Sequence, residues 1–230
     1  MARVRVDVAA AEPVIKWADV HGAARGVLYT VIAAGDADLA AELHDHGWQG
    51  SPLRPVGISP PMFVGAPRLQ GRYTTSENGS VWFGSPVPVI AAAIMKGLSN
   101  MKELRWGSVV LTILGKEIEW PEDYESGQAE FASMSPVVVK KDSRFLLPAD
   151  DGYAEVLTHN LRHRADVLKL PNEVKIEVLE AGPKRNFEVG RAIRVGANVR
   201  LRVFADPALL GALRESGIGL NTVQGFGWLR

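Results

Sequence analysis

"NVRLRVFADPALLGALRESGIGLNTVQGFGWLR", residues 198–230, places a strand, a helix and a second strand in immediate succession. Val199, Leu201 and Val203 alternate with Arg200 and Arg202, the two-residue period of a strand with one buried face. Asp206 can accept from the first orphan amides of a helix and Pro207 suits its first turn. "DPALLGALRESG" therefore reads as a helix that Gly217 stops, and "TVQGFGWL" reads as the last strand. Between them stand Gly217, Gly219, Gly225 and Gly227, two Gly-x-Gly pairs around Asn221, Thr222 and Gln224. Such glycines allow positive φ and bring backbone amides close to another backbone or to a phosphate. A helix cap followed by a bulged edge strand would use the same residues, so both readings stand at this point.

Upstream the same grammar repeats. "EFASMSPVVVKK" is strand-like, "DDGYAEVLTHNLRHRADVL" carries Val156, Leu157 and Leu161 on one helical side, and "EVKIEVLEA" alternates Val174, Ile176 and Val178. In the first half, Val4, Val6 and Val8 alternate with Arg3, Arg5 and Asp7. "VHGAARGVLYTVIAA" sets Val20, Ala24, Val27 and Val31 at helical spacing. Gly35 closes that helix and Asp36 caps a short second one, which ends near Gly47. "RYTTSENGSVWFGS" predicts a hairpin around Asn78-Gly79. "SPVPVIAAAIMKGL" predicts a helix with Ser85 as N-cap and Pro86 in its first turn, and "GSVVLTILGKEIEW" a strand. Each half thus reads β-α-β-β-α-β. The fold class expected is α+β, two tandem ferredoxin-like (RRM-like) domains over residues 1–122 and 123–230, divided in the polar segment 120–128.

The chain has 230 residues, 47% of them hydrophobic, enough for a sizeable core. Its 26 basic and 26 acidic residues cancel, so any nucleic-acid surface must come from local clustering. It has no cysteine, which excludes disulfides, thiolate metal sites and thiol nucleophiles. No run of roughly 18 apolar residues is present and "MARVRVDVAA" is no signal sequence, so a cytoplasmic protein without membrane contact is expected.

"GIGLNTVQGFG" resembles the C-terminal glycine-rich loop of the repeat-associated RNA-binding superfamily of CRISPR systems, and within it the repeat-processing endoribonucleases. "HGAARGVLYTVI", "ELHDHG" and "RPVGISPP" follow the order of that family's first helical region. "SPVVVKK", "LTHNLRHRADVL" and "GPKRNFEVG" resemble the middle of its second domain. The resemblance implies the double ferredoxin-like fold and cleavage of CRISPR repeat RNA without metal or other cofactor. The partners it implies are that RNA, CRISPR effector-complex subunits and a second copy of the chain.

In family members with a tyrosine–histidine–lysine site, the tyrosine lies late in the first helix and the histidine near the end of the next. The lysine lies in the loop that follows. By position these are Tyr29, His44 and Arg54, the last a departure from lysine. Attack by the RNA's own 2′-OH on the adjacent phosphate needs a base, an acid and positive charge, and yields 2′,3′-cyclic phosphate and 5′-hydroxyl ends. Histidine suits the proton work. Arginine keeps the electrostatic role of lysine but is never a proton donor. Tyr29, with an ordinary pKa near 10, is expected to orient the 2′-OH or the phosphate. His46 and His21 compete with His44 for the acid–base role. His159 and His163, four apart on a helix, lack the further ligands of a metal site.

Basic residues cluster in the second half: Lys140, Lys141 and Arg144; Arg162, Arg164 and Lys169; Lys184, Arg185, Arg191 and Arg194; and Arg200 with Arg202. That half is expected to track phosphates, with Lys184 and Arg185 first among the contacts and the amides of Gly217, Gly219, Gly225 and Gly227 near the cleavage point. A guide-RNA-binding subunit that cuts nothing is the alternative; the glycine loop serves both.

Overall fold

The computed structural model describes residues 3–67 and 69–230. The first half contains β1 (Arg3–Ala10), β2 (Val14–Ile15), α1 (Trp17–Gly22), α2 (Ala24–Gly35), α3 (Ala37–Asp45), β3 (Gly57–Ile58), β4 (Met62–Phe63), β5 (Tyr73–Thr74), β6 (Gly79–Gly84), α4 (Pro88–Asn100), β7 (Glu103–Trp106) and β8 (Val109–Glu119). The sheet order is β3-β6-β1-β8-β7, with β4 also on β6 and every pairing antiparallel. β1 is central between β6 and β8, and helices α2 and α4 pack together as one layer over the sheet. This is the ferredoxin-like arrangement, its second strand broken into β3 and β4.

The alternation Val4, Val6, Val8 has one fully usable apolar face, and it is buried against Leu28, Val31, Ile90 and Ile94 from α2 and α4. Helix α2 abuts α4 because Gly97 and Gly35 leave no Cβ in the way: one on Gly97 would lie 1.9 Å from the Val31 carbonyl oxygen.

The second half contains β9 (Gln128–Ala132), β10 (Val139–Lys141), β11 (Arg144–Leu146), α5 (Tyr153–Leu168), β12 (Lys175–Ala181), β13 (Arg185–Val189), β14 (Ala192–Gly196), β15 (Val199–Phe204) and α6 (Pro207–Ser216), then a 3-10 turn at Thr222–Gln224. Its sheet is β12-β15-β9, and the bridge Ser133–Leu229 adds the tail beside β9. The two hairpins β10–β11 and β13–β14 stand outside that sheet. Leu201 and Val203 from β15 share a core with Leu157 and Leu161 of α5 and Leu209, Leu210 and Leu213 of α6. Both halves therefore hold the tandem ferredoxin-like fold that the sequence pattern predicts.

Several local expectations are corrected. No hairpin forms at Asn78-Gly79: β5 pairs with β2, and Gly79 is a strand residue whose missing Cβ admits the Phe63 ring. The N-cap of α4 is Val87, because the Ser85 hydroxyl donates to the Pro55 carbonyl while accepting from the Val87 amide. The long helix from Val20 is divided at Ala23 into α1 and α2. The predicted last strand is reduced to one bridge, since Thr222–Gln224 wind into a turn. Asp36 does cap α3, accepting from the Leu39 amide at 3.0 Å. Among the described residues no helix is long and apolar enough to cross a membrane.

The halves lock together through the tail. Arg3 on β1 donates Nη1 to the Leu229 carbonyl at 2.7 Å and Nε to Glu119, whose other oxygen accepts from Trp82 Nε1 at 3.0 Å. Thr222 donates its hydroxyl to the Val56 carbonyl at 3.0 Å. His21, buried on α1, stacks on Phe226 at 3.9 Å between ring centroids and lies 3.0 Å from the Gln224 carbonyl.

Candidate active site and RNA interface

Tyr29, midway along α2, faces the C-terminal end of α3, and the loop after α3 returns Arg54 to the same place. The three residues named from sequence are thus brought together. Tyr29 and His44 meet edge to face with centroids 5.1 Å apart, and the Tyr29 hydroxyl donates to the Leu43 carbonyl at 3.3 Å. Arg54 donates Nε to Leu43 O at 2.8 Å, Nη2 to His44 O at 2.6 Å and Nη1 to Pro52 O at 3.0 Å. It thereby satisfies carbonyls that the helix end leaves orphaned. So Arg54 is not the freely presented cation expected from its sequence position; part of its hydrogen-bonding capacity clamps the histidine's backbone.

The cation beside the imidazole is Arg25, a residue that sequence reasoning passed over. Its Nη2 lies 2.9 Å from His44 Nε2, and its guanidinium carbon sits 5.8 Å from the Tyr29 ring centre. A guanidinium can only donate. Nε2 therefore carries the lone pair, and Nδ1–H donates to the Asp45 carboxylate at 2.7 Å. That hydrogen bond is the main reason the Asp45 carboxyl is held below its ordinary pKa. The signal for Arg25 was present in the sequence, since it precedes Tyr29 by one helical turn on the same face.

His44 is open to solvent, its side chain 51% exposed. Burial pushes the Tyr29 phenol above its ordinary pKa, against the opposing pull of Arg54 and Arg25. It stays protonated near neutrality, a donor and not a base. His46 is the exposed C-cap residue of α3. His21 is excluded from the exposed cleft by its burial, which drives its pKa down to about 4. Since the Gln224 carbonyl only accepts, His21 Nδ1 carries the proton and pins the glycine loop to α1. No group of three or more His, Asp or Glu side chains among the described residues could hold a metal ion.

All four glycines of the C-terminal frame have positive φ: 80° at Gly217, 72° at Gly219, 81° at Gly225 and 64° at Gly227. The expectation that their amides stand ready for phosphates is corrected for three of them. Gly217 donates to Leu213 O, Gly225 to Thr222 O and Gly227 to Pro136 O, and all three glycines are buried. The amide of Gly219 makes no hydrogen bond among the described residues. The glycines serve mainly close packing: a Cβ on Gly227 would lie 1.8 Å from Ile218 O.

Lys140 and Lys141 are exposed on β10, and Lys184, Arg185 and Arg191 are exposed on and around the β13–β14 hairpin. The two hairpins are neighbours through β11 and β14. Phe187, on the inner face of β13, wedges edge-on against His21 at 4.6 Å and faces Trp17 at 6.1 Å. The hairpin thus buries an aromatic inward and presents its cations outward. Arg162 is exposed on α5 and reaches the Val174 carbonyl at 3.3 Å. Arg200 and Arg202 are not available as expected. Glu130 bridges both, at 2.8 Å and 2.6 Å, while Glu180 and Glu177 flank them.

Residues 118–230 match the family model described as "CRISPR associated protein Cas6, C-terminal". The chain is 25% identical over 215 residues to the CRISPR-associated endoribonuclease Cas6 of Pyrococcus furiosus, covering 90% of this chain and 80% of that protein. Its fold superposes on a structure described as a Cas6-related gene product from Pyrococcus furiosus, with a TM-score of 0.84, 17% identity and coverage of 100% and 97% of the two chains. It superposes equally well on an RAMP protein described as binding different RNA substrates, with a TM-score of 0.83, 18% identity and coverage of 100% and 99%.

Proposed function

We propose that the chain is a member of the CRISPR-associated Cas6 family, to which the match of residues 118–230 and the 25% identical relative point, and that it cleaves CRISPR repeat RNA as a metal-independent endoribonuclease. The observation that carries the proposal is the convergence of Tyr29, His44 and Arg25 on one open patch, with Arg54 beneath it. The 2′-oxygen bonds to phosphorus while the bond from phosphorus to the 5′-oxygen breaks. The 2′-OH proton passes to His44 Nε2, and the resulting imidazolium can supply a proton to the departing 5′-oxygen. Cyclic 2′,3′-phosphate and 5′-hydroxyl ends result, and water is not the nucleophile.

Each remaining group has a role consistent with its state. Arg25 covers Nε2 in the free protein; a phosphate anion offers its guanidinium a stronger partner, and turning to it uncovers the base. Tyr29 remains a hydroxyl and donates. Asp45 holds the Nδ1–H tautomer that leaves Nε2 free to accept. The cations of the two hairpins lead the RNA backbone toward this patch, and the second domain, from about residue 123, supplies most of that surface.

Incubation with the host's repeat RNA in excess EDTA tests this. Wild-type protein should cut, and His44→Ala should not. Cleavage lost in EDTA and restored by a divalent ion overturns the metal-independent route. Binding of every repeat without cleavage supports instead a guide-RNA-holding subunit.

A further inference from the structure

Arg164 lies on α5, three residues after the buried Leu161, and is 3% exposed. Its Nη1 donates to Ser216 Oγ at 3.0 Å and to the Gly217 carbonyl. Both acceptors are neutral. No carboxylate pairs with it among the described residues, and burial alone draws its pKa down to about 10. A charge taken out of water without a counter-charge is costly, so such a group normally has an anion beside it.

Arg164 is not sealed in. It forms part of the wall of a cavity of about 330 Å³ between the end of the first half's α3 loop and the glycine frame. Arg54, His163, Gly219 and Asn221 line the same cavity, and no Asp or Glu does. Neither the Gly219 nor the Asn221 amide has a hydrogen-bond acceptor among the described residues. Two backbone amides of the wall thus lack acceptors, and its two guanidinium groups face no carboxylate across the cavity. Arg54 links it to the cleavage patch, since its Nη2 also holds the His44 carbonyl at 2.6 Å.

We propose that this cavity is a phosphate-binding subsite in which Arg164, Arg54 and His163 take one phosphodiester of the RNA chain next to the cleaved linkage. Arg164 is the buried half of an ion pair whose other half arrives with the substrate. This rests on the reading of the chain as an RNA-cleaving protein, but the subsite can be tested without cleavage. A phosphodiester has two non-bridging oxygens, and a bidentate guanidinium matches both. His163 meets the phosphate from the solvent side of the cavity.

Inorganic phosphate is the probe, titrated at constant ionic strength while the thermal midpoint and the ³¹P resonance are followed. Wild-type protein should show a saturable rise in midpoint, as for a ligand that binds only the native state. Arg164→Lys keeps the charge but loses the fork, and should weaken phosphate about tenfold. Asn221→Asp places a carboxylate in the cavity wall without changing size. It should raise the midpoint without phosphate, abolish the response to phosphate and weaken repeat RNA binding. His163→Ala, at an exposed position, should fold normally and weaken phosphate several-fold. An unsaturable rise shared by wild type and all variants overturns the subsite. So does a destabilised Asn221→Asp that still responds. Saturable phosphate binding with no cleavage of any repeat leaves the subsite standing and removes the enzyme; cleavage with no phosphate response does the reverse.

Discussion

Arg25 Nη2 lies 2.9 Å from His44 Nε2, an arrangement in which the arginine must donate and the imidazole nitrogen must accept. Nε2 is thus occupied as an acceptor and becomes available to another donor only when the arginine leaves. If Arg25 moves to the phosphate in the complex, it stabilises the charge that gathers there. Arg25→Ala should then lower the single-turnover cleavage rate by about 10–100-fold with little loss of stability. His44→Ala should lower it by about 10²–10⁴-fold, the usual reach of a general acid–base. Equal rates for Arg25→Ala and wild type under single-turnover conditions would assign the guanidinium to tautomer control in the free protein alone.

Tyr29 separates orientation from proton transfer. Its hydroxyl donates to Leu43 O, and burial raises its pKa, so no phenolate forms near neutrality. Tyr29→Phe should lower stability by about 1 kcal/mol, one neutral hydrogen bond, and cleavage by about tenfold at every pH. A rate that instead loses its alkaline limb in the variant would make Tyr29 a titrating participant.

The glycine frame yields a stability prediction independent of RNA. Gly227 has φ 64°, and a Cβ there would meet Ile218 O at 1.8 Å. Backbone cannot retreat at that spot, because Ile218 N donates to Gly227 O at 2.9 Å and Gly227 N to Pro136 O at 2.9 Å. Gly227→Ala should cost about 3 kcal/mol or more, read as a drop in the urea midpoint. Gly211→Ala, where a Cβ meets nothing within 4 Å on α6, should be neutral or mildly stabilising.

These particulars show what could be read from the sequence and what could not. Period-two valines and Asp-Pro or Asp caps are local signals, so β1, β15, α3 and α6 were legible. Asn78-Gly79 misled because the turn signal is local, whereas β5 is claimed by β2 from sixty residues upstream. Tyr29, His44 and Arg54 could be picked out by family resemblance; helical spacing puts Arg25 on the face of Tyr29, but its contact with His44 depends on how α2 meets α3. The glycine frame was visible as a frame, yet which of its amides are spent depends on Pro136 and Leu213, which no spacing rule connects to it. Arg200 and Arg202 look basic in sequence; their neutralisation by Glu130 is a matter of strand register.

Exposed cations that meet phosphates leave a signature in salt. Lys184 and Arg185 stand outward from a hairpin anchored by Phe187. Replacing both with alanine should flatten the slope of log K against log salt by about two phosphate contacts, while leaving the single-turnover rate at saturation near that of wild type. Arg200→Ala is the internal control: already paired with Glu130 and Glu180, it should leave the slope unchanged. Slopes that respond to Arg200 and ignore the hairpin would relocate the RNA path to the open face of the second sheet.

His21 makes the anchoring of the loop depend on pH. Its folded-state pKa is about 4, lowered by burial, against an ordinary value of 6.5. Between those values the unfolded chain takes up a proton that the native chain refuses. The native state is therefore fully favoured above about pH 6.5, and this stability is lost as pH falls toward 4, to a total of about 3 kcal/mol. About 2 kcal/mol of it should already be gone at pH 5. His21→Phe keeps a ring against Phe226 but leaves the Gln224 carbonyl without its donor. It should be less stable than wild type at pH 7.5, by about 1–3 kcal/mol, and the gap should close or reverse at pH 5. Urea midpoints for both proteins at the two pH values decide it, since the depressed carboxylates of Glu119, Glu130 and Glu177 are common to both. A gap of unchanged size at pH 5 would mean that the imidazole accepts its proton in the folded state, and that the contact to Gln224 does not require a neutral ring.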